Sequence, residues 1–251
     1  MSKYILLLVA MLSTRFAVKN PPDTKSIRCF RFTFAVPMID STGKFLGTHP
    51  MIDERTFVCG DLIMFETVTE GMEHYPPDSD RYFKWYNYLV FEQDSAVGMQ
   101  YEGRYPDSVR RCRMDSVLLS RRGNEGLPMQ MLGKTPHLVS STIDRGTGIR
   151  VETYTQLGDS VKRDEDSCIL FFNDRLKILP GIVALSPTLD SIRGSRLFEV
   201  KFKFGSFYSK ERKVTIDPYS FSWKMEEQAF FNRDSALLYF NRYLRDCKVR
   251  H

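Results

Sequence analysis

The chain of 251 residues is poor in cysteine, and no two cysteines stand close together. There is no C-x-x-C pair and hence no zinc-ribbon spacing, and the odd number of cysteines leaves at least one thiol outside any disulfide. Because free cysteine is among the residue types most often buried, most of these side chains are expected to be small core residues. The five are Cys29, Cys59, Cys112, Cys168 and Cys247.

The sequence also has little that marks an enzyme. It contains no G-x-S-x-G elbow, no H-E-x-x-H, no P-loop and no G-x-G-x-x-G motif. The best placed of its four scattered histidines are His74, beside Glu73 and Asp78, and His137, next to a glycine-rich stretch. We therefore assign no catalytic residue, no metal ligand and no cofactor, and favour a binding protein over an enzyme.

The charge balance does not favour nucleic acid as a partner. The net charge is +5, and residues 1–19 hold three basic residues (Lys3, Arg15 and Lys19) and no acidic one, so without them it would be +2. A domain that binds nucleic acid is expected to carry a larger basic excess. We therefore expect no nucleic-acid partner.

An apolar run from Tyr4 to Leu12 lies close to the N-terminus. It is too short to cross a hydrocarbon core of about 30 Å as a helix. Lys3 before the run and the polar residues after it are typical of a secretory signal. We predict that residues 1–19 are a signal peptide and that the protein is exported, periplasmic or extracellular. The alternative is a buried first strand or helix of a cytoplasmic domain.

Alternating strands dominate the rest of the chain. In residues 196–207 (RLFEVKFKFGSF) the even positions 198 to 204 are apolar, while Glu199, Lys201 and Lys203 are charged. A period of two places these sets on opposite faces of a β-strand, and we interpret the two lysines as part of a solvated outer face. Further strands are predicted at 29–36, 56–68, 82–91, 99–105, 110–119, 137–143, 149–157, 168–172, 214–216 and 219–225.

Turns and one helix complete the predicted fold. Nine Asp-Ser dipeptides at irregular intervals favour turns between short strands. A C-terminal helix is predicted after an N-cap at Asp234 or Ser235, with Ala236 and Phe240 on its apolar face. We predict a mainly β domain over residues 25–251, an antiparallel sheet in the form of a curved sheet, half-barrel or sandwich, with one C-terminal α-helix. Loops are predicted at 40–50, 71–80, 121–135, 158–166 and 179–195.

Aromatic residues supply the candidate binding site. Residues 82–91 (YFKWYNYLVF) carry aromatic side chains on both parities, which is typical of a central strand covered on both faces, although the aromatic residues of the second face can also line a groove. A plain core is the alternative. The predicted ligand-binding residues are Tyr82, Trp85, Tyr86, Tyr88 and Trp223.

The run Ile178-Leu179-Pro180-Gly181-Ile182 is similar to the Leu-Pro-Gly signature of the GLPGLI secreted proteins of Bacteroidota. The chain length, the N-terminal segment and the β-rich pattern are similar as well. No glycine precedes Leu179, and the tryptophan-containing stretch of that family is missing upstream. An overlap of five residues transfers no function.

We therefore expect an exported, envelope-associated or secreted binding protein whose partner is an apolar small molecule or an envelope protein. One alternative is a secreted hydrolase with a site assembled from separate loops. The other is a structural subunit of a surface assembly, which would expose an unpaired strand edge or an apolar patch.

Overall fold

The structure, a computed structural model, describes residues 26–75, 79–118, 137–155, 166–176 and 184–248. Short helical segments lie at 114–118 and Asp174–Leu176. The helices are α1 (Pro187–Arg193) and α2 (Arg233–Lys248). The strands are β1 (Arg28–Ile39), β2 (Phe45–Cys59), β3 (Leu62–Tyr75), β4 (Ser79–Glu92), β5 (Val97–Glu102), β6 (Tyr105–Arg113), β7 (His137–Asp144), β8 (Ile149–Thr155), β9 (Ser167–Asn173), β10 (Arg196–Phe204), β11 (Phe207–Ser209), β12 (Val214–Ile216) and β13 (Tyr219–Gln228).

Eleven of these strands form one antiparallel sheet in the order β6-β5-β4-β3-β2-β1-β13-β10-β9-β8-β7, and β11 pairs only with β12. The sheet does not close into a barrel, so β6 and β7 are its two edges. The predicted class, a mainly β antiparallel fold with a C-terminal helix, is confirmed. The described strands do not build a sandwich of two large packed sheets, which was one of the predicted arrangements.

The front face of the sheet is the side that α2 covers. The apolar side of α2 presents Ala236, Phe240 and Tyr243, all buried against strands β1 to β5. These strands supply alternate residues to this face, as their period of two requires. The buried strand residues under α2 are Cys29, Phe57, Met64, Tyr88, Val90, Met99 and Tyr101.

Helix α1 is the main cover of the back face and places Leu189 over β8 to β10. At the opposite half of the sheet, the segment 114–118 packs Met114 against Phe65 and Phe91 of β3 and β4. Gly98 makes that contact possible, because a Cβ there would lie 2.7 Å from the sulfur of Met114. The strand residues around Leu189 are Phe30, Val58, Leu170, Phe172, Val200, Phe202 and Trp223.

Helix α1 corrects the loop predicted at 179–195. Pro187 was interpreted as a helix breaker, but it occupies the first turn, where its missing N–H costs nothing. The Ser186 side chain accepts a hydrogen bond from the Leu189 N–H, and Gly194 ends the helix in the left-handed conformation. The buried Leu189 then fixes the helix on the sheet.

Two predicted loops are shorter in the structure because strand pairing outweighs local composition, and the N-cap of α2 differs as well. Of the loop predicted at 40–50, only 40–44 forms the turn, since β2 begins at Phe45. The loop predicted at 71–80 is largely strand, since β3 runs to Tyr75 and β4 begins at Ser79. The cap of α2 is Asn232, whose carbonyl oxygen accepts a hydrogen bond from the Ser235 N–H at 3.1 Å.

Residues 1–19, 121–135 and 158–165, predicted as signal peptide and loops, lie outside the described residues. No helix among the described residues combines the length and apolar character needed to cross a membrane.

Truncating the buried side of α2 should destabilise the fold. Phe240 is fully buried between α2 and the sheet, so Phe240→Ala is expected to lower the free energy of unfolding by about 3–5 kcal/mol. Leu238, on the same helix, is 56% exposed, and Leu238→Ala should change it by less than about 0.5 kcal/mol. Urea unfolding followed by circular dichroism measures both, and equal losses would contradict the assigned packing of α2.

Candidate functional site

The structure does not bring the five predicted ligand-binding residues into one groove. Tyr82, Tyr86 and Tyr88 share the parity of Val90 and face the front of β4, whereas Trp85 faces the back. Trp223 also faces the back but belongs to β13, which three strands separate from β4.

Two of these five residues are core residues. Tyr88 is 8% exposed and stacks on Tyr239 of α2, with 3.9 Å between ring centroids. Trp223 is likewise 8% exposed and meets Phe34 edge to face. The ordinary-core interpretation therefore describes both. Tyr82 and Tyr86 are exposed, 78% and 40% respectively.

Trp85 is the predicted residue that lies in an open site. Its ring stacks on that of Phe83, with centroids 5.3 Å apart and planes 30° apart. The guanidinium carbon of Arg104 lies 5.6 Å from the centroid of Phe83 and 5.5 Å from that of Trp85. This distance is within the range of a cation–π interaction. We call Phe83, Trp85 and Arg104 the Trp85 platform.

Two glycines shape the platform. A Cβ on Gly71 of β3 would lie within 2.9 Å of ring atoms of Phe83 and Trp85, so the rings rest directly on the β3 backbone. A Cβ on Gly103 would lie 2.1 Å from the carbonyl oxygen of Tyr86, so the turn between β5 and β6 can approach β4 closely. That approach holds Arg104 over the rings.

Sequence patterning missed Arg104 and Gly71 because each comes from a different part of the chain. Parity within β4 assigns Trp85 to a face but does not identify its neighbours on other strands. One usable signal was present: a glycine inside a strand pattern often marks a close backbone approach. Gly71 was instead assigned to a loop.

The platform borders an open pocket of about 320 Å³. Its described lining consists of the platform, Arg81 and Lys84, and contains no carboxylate. Lys84 is paired with Glu70 at 2.5 Å, which raises the pKa of the lysine. A flat apolar surface beside the guanidinium groups of Arg81 and Arg104 suits a ligand with a ring and an acidic group.

Ion pairs within the sheet occupy much of the remaining front face. Arg31 binds Asp53 through two hydrogen bonds of 2.7 Å and lowers the pKa of that carboxyl group. Lys224 lowers the pKa of Glu226 in the same way, at 2.7 Å. Exposed pairs of this kind stabilise a fold little. Because their charges are already matched, they give no reason to infer a ligand.

A buried polar network on the back face attaches α1 to β8. The Tyr154 hydroxyl donates to Glu152 at 2.6 Å, and Arg193 donates to both, to Glu152 at 3.0 Å and to the Tyr154 oxygen at 2.6 Å. Since each group is satisfied inside the network, we interpret it as structural.

Three of the histidines lie on different strands of the sheet, β2, β3 and β7. His49 and His137 lie exposed on β2 and β7. His74 lies opposite Asp80 in the β3–β4 register. Asp78, which the sequence places near His74, lies outside the described residues. In the described part of the chain, no three His, Cys, Asp or Glu side chains gather into a group that could hold a metal ion.

The thiols should react in an order set by burial. All five are free. Burial raises the pKa of Cys29 to about 12 and that of Cys168 to about 12, so both stay protonated and unreactive at pH 8. Half-buried Cys112 should react with a disulfide reagent first and half-buried Cys247, whose pKa burial also raises, more slowly. The other three should react only in denaturant.

Cys112→Ser provides the control, because it should remove only the fastest phase of the thiol titration. Fast labelling of a buried thiol in the native protein, or fewer than five thiols in denaturant, would contradict this assignment.

No protein-family model matches the chain, and no curated protein matches it. The run at residues 178–182, which is similar to the Leu-Pro-Gly signature, lies wholly outside the described residues. The Trp85 platform is therefore the feature from which a function has to be inferred.

Proposed function

We propose that the protein is an exported binding protein that holds a small ligand at the Trp85 platform. The ligand carries an apolar ring, which lies on Phe83 and Trp85, and an acidic group, which the neighbouring cations hold. The observation that carries this proposal is the stacked pair of aromatic rings at an open pocket beneath Arg104.

The position of the rings supports a binding role. Large aromatic side chains usually contribute to a core, and both rings would bury more surface under a helix than beside a pocket. Neither α1 nor α2 packs on this end of β4. A ring placed against Trp85 would supply the missing apolar cover.

The charge of the pocket defines the polar part of the ligand. Arg81 and Arg104 line it beside the two rings, whereas the side chain of Lys84 has the opposite parity and pairs with Glu70 on the front face. An acid on the ligand would meet at least one guanidinium, with which it can form two parallel hydrogen bonds. Binding is favoured over hydrolysis because no described lining residue is a histidine, a carboxylate or a hydroxyl nucleophile.

Export is proposed from the apolar run between Tyr4 and Leu12. Expression of the full chain in a secreting host and measurement of its intact mass test this part of the proposal. Loss of about 2 kDa from the N-terminus would support a cleaved signal peptide. A full-length mass would favour the cytoplasmic alternative.

The platform can be tested by NMR with 2-naphthoate, which has a flat ring and a carboxylate. The protein has two tryptophans, so an indole N–H spectrum shows one signal at the platform and one in the core, which a Trp223→Phe variant assigns. Titration should shift the Trp85 signal and leave that of Trp223 unchanged. Arg104→Gln should weaken binding about 5- to 30-fold, from roughly 1–2 kcal/mol of lost cation–π and charge interaction.

Two matched controls accompany this titration. Arg145→Gln removes the same charge from the exposed β7–β8 turn and should leave binding unchanged. The uncharged 2-naphthylmethanol should bind more weakly than 2-naphthoate. Equal binding of 2-naphthoate by the Arg104 and Arg145 variants would contradict the proposal. A response to single-stranded oligonucleotide alone would also contradict it, because nucleic acid is the ligand expected of a platform of aromatic and basic residues.

A second candidate, the structural subunit of an assembly, is favoured by one edge of the sheet. All eight residues of β7 are exposed, including Leu138, Val139 and Ile143, and the strand contains no lysine or arginine. The opposite edge, β6, carries three arginines, which discourage strand addition. A concentration-dependent mass in light scattering would favour this candidate, and a monomer at all concentrations would exclude self-assembly.

A further inference from the structure

We propose a second ligand site on the front face, where Lys201 and Lys203 of β10 bind a phosphate group joined to an apolar body. The site is independent of the Trp85 platform, since it lies on the other face and on a strand that four others separate from β4. It is an open pocket of about 390 Å³ between the end of β10, β13 and the start of β2.

The strand register brings the two ammonium groups together. Lys201 and Lys203 are two residues apart on one face of β10, which separates their Cα atoms by about 7 Å. Their partners on β13 are Ser222 and Ser220, so the lysines are flanked by hydroxyl groups and not by carboxylates. Two cations at this spacing match the roughly twofold negative charge of a phosphomonoester better than the single charge of a carboxylate.

The two lysines differ from Arg31 and Lys224 of the neighbouring strands in having no matched acid among the described residues. Arg31 and Lys224 each form an ion pair with a neighbouring carboxylate. Neither Lys201 nor Lys203 forms an ion pair with any described residue, although Lys201 is half-buried. A partly desolvated ammonium group is stabilised by a negative partner, which a bound phosphate would supply.

Two acidic groups stand near the pocket. Asp166 is buried and accepts a hydrogen bond from the Gly205 N–H at 3.0 Å. Glu199 precedes Lys201 on the same face and lies opposite Lys224 in the register. Neither forms an ion pair with the two lysines, so the cationic charge of the pocket stays uncompensated by the described residues.

Apolar side chains line the other side of the pocket and define the rest of the ligand. Phe45 and Pro218 line the pocket with the two lysines, whereas the side chains of Phe204 and Tyr219 face the back of the sheet, where they stack on each other. A ligand that reaches the lysines, Phe45 and Pro218 would have a phosphate at one end and an alkyl or ring group at the other.

A turn distant in sequence delivers Phe45 to this pocket. The turn at 40–44 docks on the chain after β12, where the Asp217 N–H donates to the Gly43 carbonyl at 2.9 Å. Gly43 has a φ of +92°, and a Cβ there would lie 2.1 Å from the Thr215 carbonyl oxygen, so glycine is required. The aromatic residues of β10 itself mostly point away from the lysines, which is why strand parity alone indicated a plain solvated face.

The test is isothermal titration calorimetry of the full chain with n-hexyl phosphate and, separately, with inorganic phosphate. An alkyl chain is used because it has no ring to stack on Trp85. Hexyl phosphate should bind more tightly than phosphate, and Lys201→Gln/Lys203→Gln should weaken its binding at least tenfold. Raising the salt concentration should weaken binding by the wild type, because the interaction is electrostatic.

Lys210→Gln/Arg212→Gln is the matched control, because it removes the same charge from the exposed turn between β11 and β12. It should bind hexyl phosphate like the wild type. Trp85→Ala should do so as well, because the front-face site does not depend on whether the Trp85 platform binds a ligand. Circular dichroism would confirm that each variant is folded. Equal weakening in the two double variants would overturn the proposal.

The source of the phosphate group is decided by vesicle co-sedimentation. Binding to phosphatidic acid vesicles that requires the two lysines, with none to phosphatidylcholine, would assign the site to a lipid headgroup. Binding of hexyl phosphate without binding to vesicles would assign it to a soluble phosphate ester. Both outcomes support the site. If the protein binds neither hexyl phosphate nor the vesicles, the proposal is overturned.

Discussion

The need to cover two faces of one open sheet governs this structure. Eleven strands with alternating apolar residues expose two faces, and each must be shielded from water somewhere. Helix α2 shields the front at β1 to β5, while α1 shields the back at β8 to β10. The two helices therefore lie diagonally, and each face has a region that neither of them covers.

Both proposed sites lie in the regions that the helices leave open. The Trp85 platform is on the back face at β4, beyond the segment 114–118, which covers only the other end of that strand. The lysine pair is on the front face at β10, away from α2. In each region cations stand beside apolar side chains, and in each a ligand with an apolar part would complete the cover that a helix supplies elsewhere.

The local parts of this fold could be predicted from the sequence, and the parts that join distant segments could not. The alternation in β10 and the C-terminal helix depend on neighbouring residues, and both were predicted. Helix α1 was missed because Pro187 was interpreted as a breaker without the preceding Ser186 cap.

The candidate site shows the same division between local and distant information. Parity places Trp85 and Tyr88 on opposite faces of the sheet, although both were predicted to bind the ligand. Arg104 and Gly71 are neighbours of Trp85 through sheet pairing, which strand parity does not encode. Trp223 has equal aromatic character but is buried by its neighbours on other strands.

The two sites differ in rigidity, and this difference implies different selectivity. At the Trp85 platform the rings rest on the backbone of Gly71, so their plane is fixed and a ligand is selected by its flat shape. At the front-face pocket, Lys201 and Lys203 end in ammonium groups on flexible stems, which adapt to an anion and select by charge. A protein with both would distinguish ligands by ring shape on one face and by charge on the other, so one molecule need not satisfy both.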